Sequence, residues 1–175
     1  ALMYSLLMRY EFFVSHFLKQ RLLLYAITHM LIMPLVIGWI WSAYAPADGP
    51  TRPLLLLAGL SLLGGFAFEI ARKIHAPESE RQRIDSYSKS MGYAPAILTV
   101  LLISGAGMAV QSYLLMALKS GWMPFFLIGL LFTATLIVYV VALTRPREKT
   151  LKMAELLVSL AMLVSYLSVI GVVNF

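Results

Sequence analysis

The chain has 175 residues, 61% hydrophobic and 13% charged, with a net charge of +6 and no cysteine. Soluble domains run nearer about half apolar and about a quarter charged, so a mean hydropathy of +0.84 excludes an ordinary soluble domain and predicts a bilayer protein. The missing cysteine excludes a disulfide framework, a thiolate nucleophile and a Cys-based metal site, and nucleic acid is excluded because the cations fall in short loops between apolar runs, where membrane topology places them.

In chain order, Ala1–Leu7 reads as the inner end of an apolar element running into Arg9-Tyr10-Glu11 at the interface. Phe12, Phe13, Val14, Phe17 and Leu18 alternate with His16, Lys19 and Gln20, which predicts an interfacial helix or a short hairpin. No signal-peptide pattern opens the chain, and we expect it to be the later part of a longer protein. Five stretches then reach the roughly 20 apolar residues that a spanning helix needs: Leu22–Tyr44, Pro53–Ile70, Tyr93–Leu118, Trp122–Leu143 and Met153–Val173. They are continuously apolar rather than alternating, so helices are expected and not a barrel. Trp39, Trp41, Tyr44 and Trp122 sit at span ends as interfacial aromatics do. Pro34 predicts a kink in the first span, and Ala45–Thr51 a short turn. The expected architecture is an all-α polytopic transmembrane bundle in one membrane domain over 1–175, five full spans plus an N-terminal partial or interfacial helix.

The cations sort by loop. Arg9, Lys19 and Arg21 precede the first span and Arg52 alone follows it; Arg72, Lys73, Arg81, Arg83 and Lys89 separate the second and third; Lys119 alone follows the third; Arg145, Arg147, Lys149 and Lys152 separate the last two. This rich–poor alternation accounts for all 14 Lys and Arg and predicts that the Arg72–Lys89 loop and the Arg145–Lys152 turn face the cytoplasm, with Asn174–Phe175 on the other side.

The Glu69–Lys89 segment is more than a connector by composition. It holds Glu69, Glu78, Glu80 and Asp85, four of the eight acidic residues of the chain. Glu69 ends an apolar helix after Gly64, Gly65, Phe66 and Phe68; an ionisable group there is costly and ordinarily faces a bundle interior or a cavity. Carboxylates in this place suit Mg²⁺ and bridges to phosphate oxygens, and the adjacent cations suit a diphosphate. The plain alternative is a charged loop with Glu69 reaching to the interface. Elsewhere, His29 and Thr28 are expected to make a helix–helix hydrogen bond, with the lining of a cavity as the alternative; Gln111 is expected to make an interhelical bond, and Glu155 to pair with Lys152 or Arg147. Gly105, Gly107 and Ala109 suit close helix contact.

From Phe68 to Gly92 the chain resembles the second signature loop of the UbiA superfamily of intramembrane prenyltransferases: an acidic motif beginning at Glu69, a basic loop, the hydroxyl segment Ser86-Tyr87-Ser88 and a closing Gly92. Tyr4-Ser5-Leu6-Leu7-Met8-Arg9-Tyr10 is similar to the Tyr-x-x-x-Lys-Arg-Tyr element ending that family's fourth helix, with Met8 in place of its Lys. The resemblance covers the whole chain as roughly the carboxyl-terminal two-thirds of a nine-helix enzyme, without the first Asp-rich motif. It implies Mg²⁺-dependent transfer of a prenyl group from a polyprenyl diphosphate to a small-molecule acceptor in the membrane, with no activity from this piece alone. It implies Glu69 as a metal ligand, with Glu78 or Glu80 in place of a second Asp, because Lys73 stands where the family has one. Tyr4 and Arg9 would line the diphosphate pocket; Arg72, Lys73 and Lys89 join them by charge and location. The setting implied is a multi-pass protein of a bacterial inner membrane. A transporter or permease-like protein and a non-catalytic membrane scaffold remain as alternatives; the Asp-Gly-x-x-Ala-Arg pattern of CDP-alcohol phosphotransferases is missing.

Overall fold

A computed structural model describes residues 1–19, 21–44, 49–80 and 85–174; the predicted loop cations Arg81 and Arg83, part of the Ala45–Thr51 turn, Gln20 and Phe175 lie outside them. Among the described residues every regular element is a helix, as the apolar runs require of a chain in lipid. A short N-terminal helix α1 (Leu2–Arg9) is followed by α2 (Ser15–Lys19), α3 (Leu22–Met30), α4 (Ile32–Tyr44), α5 (Arg52–Ala71), α6 (Tyr87–Met91), α7 (Tyr93–Ala117), α8 (Trp122–Thr144) and α9 (Glu148–Asn174). Five segments are long and apolar enough to cross a membrane: Leu22–Tyr44, Arg52–Ala71, Tyr93–Ala117, Trp122–Thr144 and Glu148–Val173.

The first span is two helices, and the break falls at Leu31 rather than at Pro34. A proline has no N–H to offer the carbonyl four residues earlier and its ring crowds that carbonyl. For Pro34 that carbonyl belongs to Met30, which is where α3 ends. In the N-terminal stretch α1 is followed by a tight turn in which Glu11, Phe12 and Phe13 all take positive φ, and then by the short helix α2. The last span starts earlier than its apolar run, so only Arg145–Arg147 separate α8 and α9, and Lys149 and Lys152 ride on the first turns of α9.

α5 is the central helix, packed against α3, α4, α7 and α9. Thr51 caps it by accepting a bond from the Leu54 N–H at 3.4 Å, and Pro53 occupies the first turn, where no N–H is missed. Its small residues allow close approach, as in membrane bundles generally: a Cβ on Gly65 would meet the Met30 sulfur at 3.0 Å, and one on Gly64 would meet Met162 at 3.3 Å. Gly107 packs over Leu63 in the same way.

The most tightly packed core lies at one end of the bundle. Ile70, Ala71, Ile74, Ala76, Tyr87, Ala96, Ile97, Ala142, Leu151 and Ala154 all belong to it. These residues come from the end of α5, the loop after it, the start of α6, the start of α7, the end of α8 and the start of α9. The two cation-rich connections therefore share one end. Tyr93 Oη donates to the Ala142 carbonyl at 3.0 Å and Tyr87 Oη to the Leu22 carbonyl at 3.2 Å, which ties the starts of the first and third spans to the same place.

Candidate functional site

Glu69 lies on the last turn of α5, where residues three and four positions on share its face. Arg72 and Lys73 occupy those positions. The Arg72 guanidinium reaches Glu69 Oε2 at 2.6 Å, and the Lys73 ammonium reaches Oε1 at 2.7 Å. The glutamate side chain is 8% exposed, against 47% for Arg72 and 27% for Lys73. A buried carboxylate is thus compensated by two cations that remain accessible, as an ionised group at this depth requires. The same bond from Glu69 keeps the Arg72 guanidinium charged, its pKa lying above the ordinary arginine value.

Aromatic rings extend the cluster toward α1. The Lys73 ammonium stands 5.7 Å over the Tyr25 ring, within cation–π range. Tyr25 stacks on His29 with centroids 3.9 Å apart, and Phe12 meets His29 edge-on. Phe12 in turn contacts Tyr4 edge-on at 5.2 Å, and Tyr4 Oη donates to the Thr28 carbonyl at 2.5 Å. Two residues proposed from separate parts of the sequence, Tyr4 and Glu69, therefore terminate one connected row of side chains. His29 departs from expectation: Nδ1 lies 2.9 Å from the Tyr25 carbonyl of its own helix. The i−4 carbonyl is the nearest acceptor for a side chain that stacks on residue 25. Thr28 likewise bonds back to Leu24 and Tyr25. Arg9 is exposed at the end of α1.

The remaining predicted loop acids take other partners. Ser86 donates to Glu80, Lys89 Nζ stands 4.0 Å from Glu80, and Ser86 also caps α6 by accepting from the Lys89 N–H at 3.2 Å. Glu78 accepts from the Glu148 N–H at 3.4 Å. Among the described residues the bonds of Glu78 and Glu80 go to Glu148, Ser86 and Lys89 and those of Glu69 to Arg72 and Lys73, and no three His, Cys, Asp or Glu side chains gather as a metal group. With both oxygens of Glu69 held by cations, these residues by themselves do not make a Mg²⁺ site; Mg²⁺ prefers octahedral oxygen ligation.

Glu148 is the residue that sequence reasoning passed over. It opens α9 and clamps the other loop: Oε1 lies 3.0 Å from His75 Nδ1, and Oε2 accepts from the Ala76 N–H at 3.0 Å. The Ser88 hydroxyl accepts from the His75 N–H at 2.8 Å. Tyr87, fully buried beneath Glu69, has its hydroxyl pKa pushed well up by burial, with the Glu69 charge adding to it. The only advance sign of the Glu148 clamp was that the positive-inside rule puts both loops on one side.

A cavity of about 70 Å³ lies apart from this cluster between α5, α7, α8 and α9, lined by Leu60, Gly64 and Ala67 of α5 and by Gln111 and Ser165. Its walls are apolar apart from a few hydroxyls and that pair. Gln111 Nε2 donates to the Ser165 carbonyl at 3.3 Å, and the Ser165 hydroxyl donates back to Gln111, the expected interhelical bond. Lys152 pairs with Glu155 at 2.7 Å. The buried Tyr139 hydroxyl, in contrast, has no partner among the described residues.

Comparison with family models, with curated proteins and with solved structures finds no match to this chain. The site is therefore read on its own chemistry: a charge-compensated carboxylate, two accessible cations and tyrosine rings at the loop end of the bundle.

Proposed function

We propose that the chain is the later part of a UbiA-like intramembrane prenyltransferase, acting on a polyprenyl diphosphate and a small-molecule acceptor. The observation that carries this reading is the Glu69–Arg72–Lys73 cluster, a buried carboxylate holding two accessible cations beside the Tyr25 ring. The accessible cations match an anionic head in chemistry, and the apolar spans match a hydrocarbon tail. Arg72 and Lys73 would hold the diphosphate and stabilise its growing charge as the allylic C–O bond breaks. Glu69 would orient both cations, and Tyr4 would extend the pocket through the Tyr25–His29–Phe12 row. Mg²⁺ would need further carboxylates, which the resemblance assigns to a motif ahead of Ala1, and no step of this chain's residues is routed through it.

The same reading places the Arg72–Lys89 loop in the cytoplasm of a bacterial inner membrane, supported by the distribution of the cations. Because the chain has no cysteine, single cysteines can report this directly. Ser79→Cys in intact cells is expected to resist an impermeant maleimide and Ser120→Cys to react with it; the opposite pattern reverses the orientation.

Turnover is tested with the full protein in liposomes containing a polyprenyl diphosphate and candidate acceptors, with diphosphate release as the readout. Glu69→Gln is expected to abolish release, and unchanged release would remove Glu69 from the site. A second reading, a non-catalytic scaffold, is favoured by the complete occupation of Glu69 by its own cations. In that case Lys73→Gln leaves diphosphate binding unchanged, whereas the enzymatic reading expects binding to fall.

A further inference from the structure

The opposite end of the bundle carries a feature that the proposed site does not use. A groove of about 670 Å³ lies between the first turns of α8 and the last turns of α9, under the turn that joins α7 to α8. Its walls include Met123, Leu127, Leu167, Gly171 and Val172, and Lys119 stands among the lining residues. Gly171 faces open space, since a Cβ there would meet nothing within 4 Å. From Val164 to Val172 the α9 wall rises about 12 Å, most of one leaflet's share of a hydrocarbon core about 30 Å thick.

Lys119 is unusual in its backbone. Its N–H bonds to the Met116 carbonyl at 3.1 Å and the Ser120 N–H to the Leu115 carbonyl at 2.9 Å, closing α7 with a φ of 56° at Lys119. Glycine ordinarily fills such a position. Lysine here is also one of only two cations, with Arg52, in the cation-poor connections. Lys119 is exposed, and Trp122, three residues on, is 73% exposed, as an interfacial aromatic would be. An apolar furrow one leaflet deep with a single cation at its mouth is complementary to an amphiphile with one hydrocarbon chain to insert and a phosphate to present.

We propose that this groove holds an anionic phospholipid of the leaflet opposite the loops, an acyl chain between α8 and α9 and the phosphate on Lys119. The proposal does not depend on the prenyltransferase reading. A soluble anion would find mostly apolar walls, and a zwitterionic lipid would gain less from the ammonium.

The test uses the full protein in nanodiscs of phosphatidylcholine and phosphatidylglycerol, released into the gas phase for native mass spectrometry. The wild type is expected to retain phosphatidylglycerol over phosphatidylcholine by about fivefold, the worth of one lysine near an anionic headgroup. Lys119→Gly removes the charge while suiting the φ, so the preference should vanish with thermal stability unchanged or higher. Lys119→Arg should keep it. Gly171→Leu fills the furrow and should lose retained lipid of both kinds with Lys119 in place; Ser168→Leu, from the same wall, serves if that variant fails to fold. Equal phosphatidylglycerol retention by wild type and Lys119→Gly would overturn the proposal. So would lipid adducts surviving both groove-filling variants, or a protein dimer without lipid that either variant dissolves.

Discussion

The two ends of this bundle are built differently. At the loop end the connections fold back onto the helices: Tyr87 and Ala76 are fully buried, Glu148 holds the neighbouring loop, and Glu69 is neutralised by its own turn. At the other end the turn after α7 closes on bonds within itself and to the end of α7, Trp122 and Tyr44 stand exposed, and Gln111–Ser165 links α7 to α9. Lipid can cover apolar side chains there, so little has to be packed by protein. The loop end must satisfy charges and free backbone groups beside water, and it does so with specific bonds. Specific chemistry is therefore expected at the loop end and lipid contact at the other.

Substitutions can break this contrast. Tyr87→Ala removes a fully buried ring and should cost about 3–5 kcal/mol, read as a lower unfolding midpoint in mild detergent. Glu148→Ala strands the Ala76 N–H and His75 and should cost about 1–3 kcal/mol, with faster hydrogen exchange at Ala76 as its local signature. Alkaline pH sharpens the comparison. Burial raises the Tyr87 hydroxyl pKa above its ordinary value, so the folded state keeps a proton that the unfolded chain loses above about pH 10. Its contribution is fully present below that pH and should fall by about 1.4 kcal/mol per unit above it; Tyr87→Phe should flatten that part of the profile in pH-dependent unfolding. At the opposite end effects should be smaller. Lys119→Gly should stabilise by about 1 kcal/mol through relief of its positive φ, and Gln111→Ala should cost about 0.6 kcal/mol, the usual worth of an interhelical hydrogen bond in a membrane. A loss at Gln111 as large as that at Tyr87 would erase the distinction between the ends.

Much of the architecture was legible because its causes are local and additive. Length and hydropathy located the five spans, and loop charge put the Arg72–Lys89 and Arg145–Lys152 connections together, which their mutual bonds bear out. The partners in tertiary contacts were not legible: Gln111 was expected to bond another helix and does, but nothing local pointed to Ser165. His75 and Glu148 are 73 residues apart, and neither carries a local signal for the other. His29 was expected to reach another helix, but stacking on Tyr25 leaves its own helix as partner. The effect of Pro34 was visible, but it acts on the carbonyl four residues back, so the break appears at Leu31. At Glu69 the burial of an acid was readable from its place in an apolar helix. That Arg72 and Lys73 would take both of its oxygens follows from helical spacing, yet these cations were assigned to a ligand instead.

The Glu148 clamp bears on how the protein is made. Glu148 begins the last of the five spans, while its partners His75 and Ala76 follow the second. Chains emerge from the ribosome amino end first, so the earlier loop waits, unfastened, while two further spans are synthesised and inserted. A nascent chain halted at Thr144 would expose that loop to a protease, and one extended through α9 would shield it.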